Sequence, residues 1–174
     1  MLAFAYEWQN ELMKEHRKSL SMEHMEKFKY FYAGRWTEYE FEVADNDLDE
    51  LQMVSVNPKT WRIHGYFEAT FDNDVKAVEE MCIINYMGKV CPMFAADLKA
   101  FIAELFGRGY EKIDWSVIIG NPAERMYDRF CKKYGGRIVG TKLRNVMLRD
   151  GNIYDEKFYE IYRDGFQKHR KGKG

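Results

Sequence analysis

The residue types that most often carry chemistry are few in this chain and stand apart from one another. The four histidines, His16, His24, His64 and His169, are isolated, and Cys82, Cys91 and Cys131 lack the close Cys or His pairing that a zinc site requires. Neither a Ser-His-Asp order nor a phosphate-cradling glycine-rich loop can be read, which argues against hydrolase and kinase chemistry. His64 sits in a β-rich run, where it either faces a substrate pocket or is a hydrogen-bonded structural residue. Asp114, in another such run, can pair with an amine or form a surface salt bridge. Twelve Tyr, twelve Phe and four Trp can furnish an aromatic pocket or an interface, although core packing accounts for most of them first.

These residues have to be held by a single domain. A chain of 174 residues with 46% apolar and 16% aromatic content can bury one sizeable core, and its 27 basic and 28 acidic residues nearly cancel. That balance argues against nucleic acid as a partner, and no apolar run approaches the roughly 20 residues of a membrane span. An odd number of scattered cysteines reads as reduced thiols in a cytoplasmic protein. The boundaries expected are one domain over 1–166, with a helical N-terminal region, and a basic, solvated tail over 167–174.

The periodicity predicts the order of elements. Phe4 to Tyr32 is rich in helix formers, with Phe4, Trp8, Leu12 and Met13 at helical spacing and a break near Ser19 to Ser21. Arg35 to Val43 alternates in a way that suits a strand or the close of a helix. Leu51 to Val56 and Trp61 to Phe71 flank the turn Asn57-Pro58-Lys59-Thr60 and predict a hairpin. Val78 to Met87 predicts a strand, with Glu80, Cys82, Ile84 and Tyr86 on one face. Phe94, Leu98, Phe101, Ile102 and Leu105 share a helix face that Gly107 and Gly109 terminate. Lys112 to Ile119 predicts a strand. Asn121 as N-cap, Pro122 at the first helical position and Glu124 three residues after the cap predict a helix ending at Gly135-Gly136. Asp150-Gly151 joins two last strands, Arg137 to Leu148 and Asn152 to Tyr162. A helix between Val78–Met87 and Lys112–Ile119 favours parallel pairing of those strands in an otherwise antiparallel sheet.

The strand followed by Asn121-Pro122-Ala123, then a helix, then Tyr134-Gly135-Gly136-Arg137-Ile138-Val139-Gly140 resembles the C-terminal half of GNAT acyltransferases, divergent phage-encoded members included. The resemblance runs from about Val78 to Tyr162. It implies a mixed α/β fold: a mostly antiparallel sheet with a central parallel pair flanked by helices. It also implies transfer of an acetyl group from acetyl-CoA to a primary amine on a small molecule or a protein, and pairing of two copies through their C-terminal strands. By the same resemblance, Gly88, Lys89 and Val90 hold the pyrophosphate, Asn121 lines the pantetheine channel, Glu80 helps deprotonate the amine and Tyr127 protonates the thiolate. Asn121 is equally explained as a helix cap, and Tyr127 as a packed tyrosine.

The chain departs from the family where its pyrophosphate motif should lie. At Lys89-Val90-Cys91-Pro92-Met93-Phe94, Pro92 removes an N–H donor, and Phe94 is expected to put a bulky ring where the diphosphate needs close backbone. Two readings follow: cofactor binding by unconventional means, or its loss in a GNAT-fold binding or structural protein, virion-associated or host-directed.

Overall fold

The computed structural model describes residues 1–32, 41–44 and 48–171. Among these, seven strands form one sheet: β1 (Leu2–Phe4), β2 (Glu50–Val56), β3 (Ile63–Asp72), β4 (Ala77–Asn85), β5 (Lys112–Ile118), β6 (Arg137–Met147) and β7 (Ile153–Tyr162). Their spatial order is β1-β2-β3-β4-β5-β7-β6. Every neighbouring pair is antiparallel except β4 and β5, which run parallel because helix α2 (Pro92–Gly107) crosses between them. The remaining α-helices are α1 (Gln9–Ser19), α3 (Glu124–Tyr134) and α4 (Arg163–Lys171).

Side-chain chemistry sets the turns. Asn57 Oδ1 accepts the N–H groups of Lys59 and Thr60 in the β2–β3 turn, and Asp72 Oδ1 does the same for Asp74 and Val75 in the β3–β4 turn. At Gly135 the backbone turns left-handed (φ 76°, ψ 20°), and the Gly136 N–H returns to the Cys131 carbonyl at 2.9 Å, closing α3 as its glycine pair predicts.

Apolar residues divide between the two sheet faces. On one face, α2, α3 and α4 pack on Phe67, Ile113, Trp115 and Tyr159, with Phe101 and Phe166 fully buried among them. On the other face, Leu12 of α1 joins Val54, Ile63, Tyr66 and Ile84. Each aliphatic or aromatic side chain removed from water in this way contributes on the order of 1.5–3 kcal/mol, which makes the sheet faces the main source of stability.

Four expectations change. The N-terminal stretch is not helical from Phe4: Leu2–Phe4 pair with β2, a 3-10 turn spans Ala5–Trp8, and α1 begins only at Gln9. The free edge of β2 has backbone groups to satisfy, and that need overrides the helical spacing of Phe4 and Trp8. Of the Arg35 to Val43 run, 35–40 lie outside the described residues and 41–43 form no regular element. Helix α3 begins at Glu124, with Ala123 in the cap position, because Asn121 Oδ1 binds the Ala123 N–H and folds 121–123 into a separate turn. Glu124 does reach back as a capping-box residue, but to the N–H of Gly120 at 3.1 Å. Finally, the basic run after Phe166 continues α4 as far as Lys171, because Phe166 is 1% exposed and anchors that helix against Phe106 and Tyr134.

Candidate active site

Strand β5 meets β4 at only two register positions, Ala77↔Lys112 and Val78↔Ile113. Beyond them β4 continues to Asn85 and β5 to Ile118 without pairing to each other, so a gap opens in the middle of the sheet. On the helix side, this gap widens into a groove of about 310 Å³ between α2 and α3. Met81, Ile83 and Trp115 form its floor, and Leu98, Tyr127 and Phe130 line its walls. Lys99, Arg129 and Lys133 also line it, so an apolar slot carries three cationic side chains. Trp115 stacks on Tyr159 (5.4 Å, 10°), and its buried Nε1–H has no hydrogen-bond partner among the described residues.

Ala95 and Ala96 line the groove in the first turn of α2, which the β4–α2 loop precedes. Asn85 shapes this loop by accepting the Met87 N–H through Oδ1 and donating through Nδ2 to the Lys89 carbonyl. Gly88 takes φ +63°, and the Lys27 side chain lies across it, since a Cβ there would fall 2.3 Å from Lys27 Cε. No side chain caps α2, whose first position is Pro92, so the N–H groups of Met93 and Phe94 have no partner among the described residues. Phe94 does not obstruct this loop, contrary to the expectation from sequence. Its ring is 4% exposed, stacks on Phe67 at 4.9 Å and fills the space left by the missing Cβ of Gly65.

No family model matches the chain, and no curated protein sequence does. Solved structures do. A GCN5-related N-acetyltransferase from Brucella melitensis aligns over 98% of this chain and 78% of its own, with a TM-score of 0.69 at 16% identity. The spermidine/spermine N-acetyltransferase SpeG from Vibrio cholerae aligns over 71% of each chain, with a TM-score of 0.60 at 17% identity. This chain has the GNAT fold.

Within the GNAT fold, the residues singled out from sequence fall into three groups. Gly88, Lys89 and Val90 are exposed together in the β4–α2 loop. Tyr127 lies in the groove wall, 6% exposed, edge-on to Trp115 and Tyr159, and its phenol makes no hydrogen bond among the described residues. Burial, with Cys82 and Tyr159 nearby, holds its pKa above the usual tyrosine value, so it remains a donor at neutral pH. Asn121 is not in the groove lining, and its Oδ1 is committed to the turn before α3. Glu80 projects from the other sheet face and is exposed.

That second face carries groups the sequence reading missed. Glu68 on β3 lies cross-strand from Cys82 on β4 and accepts the Tyr66 phenol at 3.0 Å. Burial raises its carboxyl pKa to about 7, helped by Glu50 and Glu80 and opposed by the Tyr66 hydrogen bond. Beyond the gap, the buried Glu156 of β7 accepts from Tyr32 (2.8 Å), Ser116 (2.6 Å) and Asn145 (2.5 Å). Asn145 reaches it because β6 is irregular between Lys142 and Val146. Asp114, proposed to pair with an amine, holds Lys112 at 2.6 Å through Oδ2. His64 contacts Cys91 at 3.4 Å, and burial lowers its pKa. Among the described residues no cluster of His, Cys, Asp and Glu could hold a metal, and no helix is long and apolar enough to cross a membrane.

Proposed function

We propose that the protein transfers an acetyl group from acetyl-CoA to a primary amine by direct attack within a ternary complex. The observation that carries this reading is the opening of β4 from β5 after two paired positions, which joins a cation-bearing apolar groove on one sheet face to carboxylates on the other. The groove fits the chemistry of the donor: Met81, Ile83 and Leu98 suit the pantetheine arm, and the uncapped α2 N-terminus with Lys89 suits the diphosphate. The N–H groups at Gly88 to Val90 belong to the same loop. Tyr127 donates a hydrogen bond to the departing sulfur. With its pKa raised it stabilises the thiolate without giving up its proton outright. Glu80 and Glu68 give the acceptor face negative charge, which favours a cationic amine, as a primary amine is at neutral pH.

Three free cysteines agree with a cytoplasmic setting. Pairing of two copies through β6, whose Val139 and Leu143 are exposed, is the dimer we expect.

The test is thermal unfolding with acetyl-CoA. Ligand at a hundred times its dissociation constant should add about 2.7 kcal/mol, and amines should then be acetylated in its presence. No shift at millimolar acetyl-CoA would defeat the reading. That result would favour a non-catalytic binding or structural role, on a virion or directed at a host protein, for which Pro92 at the first position of α2 is the specific support.

A further inference from the structure

We propose that Glu68, rather than Glu80, takes the proton from the acceptor amine. The inference rests on the acetyl-transfer reading and names the residue on which its acceptor half depends.

Position comes first. Cys82 lies on the part of β4 that has left β5, and Glu68 is its direct cross-strand neighbour on β3. Tyr127 on the helix side and Glu68 on the opposite side both interact electrostatically with the Cys82 thiol. The phenol and the carboxyl therefore flank the same part of the opened sheet from its two faces. A thioester in the gap would have a donor for its sulfur on one side and an acceptor for the amine proton on the other.

Restraint comes second. One oxygen of Glu68 is held by the phenol of Tyr66, which is itself fully buried, while the carboxyl makes no other hydrogen bond among the described residues. A carboxylate with one oxygen anchored and the other available is preorganised to accept a proton at a set place. Glu80, two register positions along at Thr70, is exposed and has no such anchor among the described residues.

Electrostatics comes third. Among the described residues, the titratable groups facing Glu68 are Tyr66 on its own strand, Glu50 on β2, and Glu80 and Cys82 on β4, with Tyr32 interacting with Cys82 in turn. None of them is cationic. Burial and two like charges bring the carboxyl close to neutrality in proton affinity, where a base is both available and effective at physiological pH.

The step balances as follows. One proton of the ammonium passes to Glu68 and from there to solvent. The nitrogen lone pair forms the C–N bond, the C–S bond breaks with its electrons on sulfur, and the second nitrogen proton passes to that thiolate, giving the free thiol of CoA.

The experiment compares wild type, Glu68→Gln and Glu80→Gln by chromatographic separation of CoA from acetyl-CoA across the neutral pH range. Acceptors are spermidine, a lysine peptide and, for hydrolysis, water alone. Glu68→Gln should lower kcat about a hundredfold, abolish the rise in rate through neutral pH, and leave the KM and thermal shift for acetyl-CoA unchanged. Glu80→Gln should mainly raise the acceptor KM. A pH limb that survives in Glu68→Gln, or disappears in Glu80→Gln, overturns the proposal. So does a wild-type protein that binds acetyl-CoA yet turns over neither amine nor water, although cofactor binding would then stand. No stabilisation by acetyl-CoA overturns the parent reading as well.

Discussion

Strand β5 has one flank built for stability and one built for access. Against β7 it pairs over its whole length, from Lys112↔Tyr162 to Ile118↔Glu156, and its Trp115 stacks on Tyr159. Against β4 it pairs at two positions and then stops. The closed flank satisfies the strand backbone on one side and packs large aromatic rings beneath it. The open flank leaves backbone and side chains facing a groove. A sheet can tolerate an interior gap of this kind only when its other pairings and its helix layer hold the two halves together.

The contrast can be tested from both sides. The largest effect should come from the closed flank: Trp115→Ala removes a 4%-exposed ring and should cost about 3–5 kcal/mol in urea unfolding. A cost under about 1 kcal/mol would mean that the floor of the groove is not part of the core. Trp115→Phe keeps an aromatic ring and deletes a buried donor that has no partner among the described residues, so it should recover most of that loss.

On the open flank, Tyr127→Phe should lower kcat by roughly tenfold to a hundredfold, with little change in urea midpoint, because its phenol makes no hydrogen bond among the described residues. A large stability loss with kcat intact would instead make Tyr127 a packing residue.

The next effect concerns the inward turn of Phe94, which seats its ring in the core against Phe67. In Gly65→Ala the new methyl would fall 2.1 Å from the Phe94 ring and 2.4 Å from the Ile84 carbonyl oxygen, at a cost of about 1–3 kcal/mol. Combining it with Phe94→Leu should recover part of this, and strict additivity of the two changes would show that the ring and the glycine are not coupled.

The smallest effect lies behind the closed flank, where Lys157 binds Glu124 at 2.8 Å and Asp128 at 2.9 Å. The hydrogen bonds from Lys157 hold both carboxyl pKa values below their usual range. The stability this contributes is present above the unfolded carboxyl values near pH 4 and is lost as pH falls through the lower folded values. Partial exposure limits it to about 1 kcal/mol or less, and Lys157→Met should flatten stability between neutral and acid pH by that amount.

Much of the closed flank could be read from the sequence. Alternation over Lys112 to Ile119, the helix stop at Gly135-Gly136 and the Asp150-Gly151 turn are local signals, and each marks the element it suggested. The open flank was less legible because it depends on residues distant in the chain. Nothing near Phe94 indicates that Gly65 makes room for its ring. The character of Glu68 depends on Tyr66, Glu50 and Glu80, which come from three strands, so no spacing rule marks it. Leu2–Phe4 form a strand only because β2 offers an edge. The start of α3 moved because Asn121 can cap either a helix or a turn, and the turn took it.

The position of β7 also bears on how the protein is made. Of all the strands it lies furthest along the chain, yet it sits inside the sheet, between β5 and β6. As the chain leaves the ribosome, β1 to β4 can assemble as antiparallel neighbours, whereas β5 must wait for residues 153–162 before it gains an antiparallel partner. Only two parallel register positions tie it to the rest until then. Completion of the sheet therefore waits for β7 to emerge, and nascent chains halted before β7 should be far more sensitive to protease across β5 and β6 than chains halted after it.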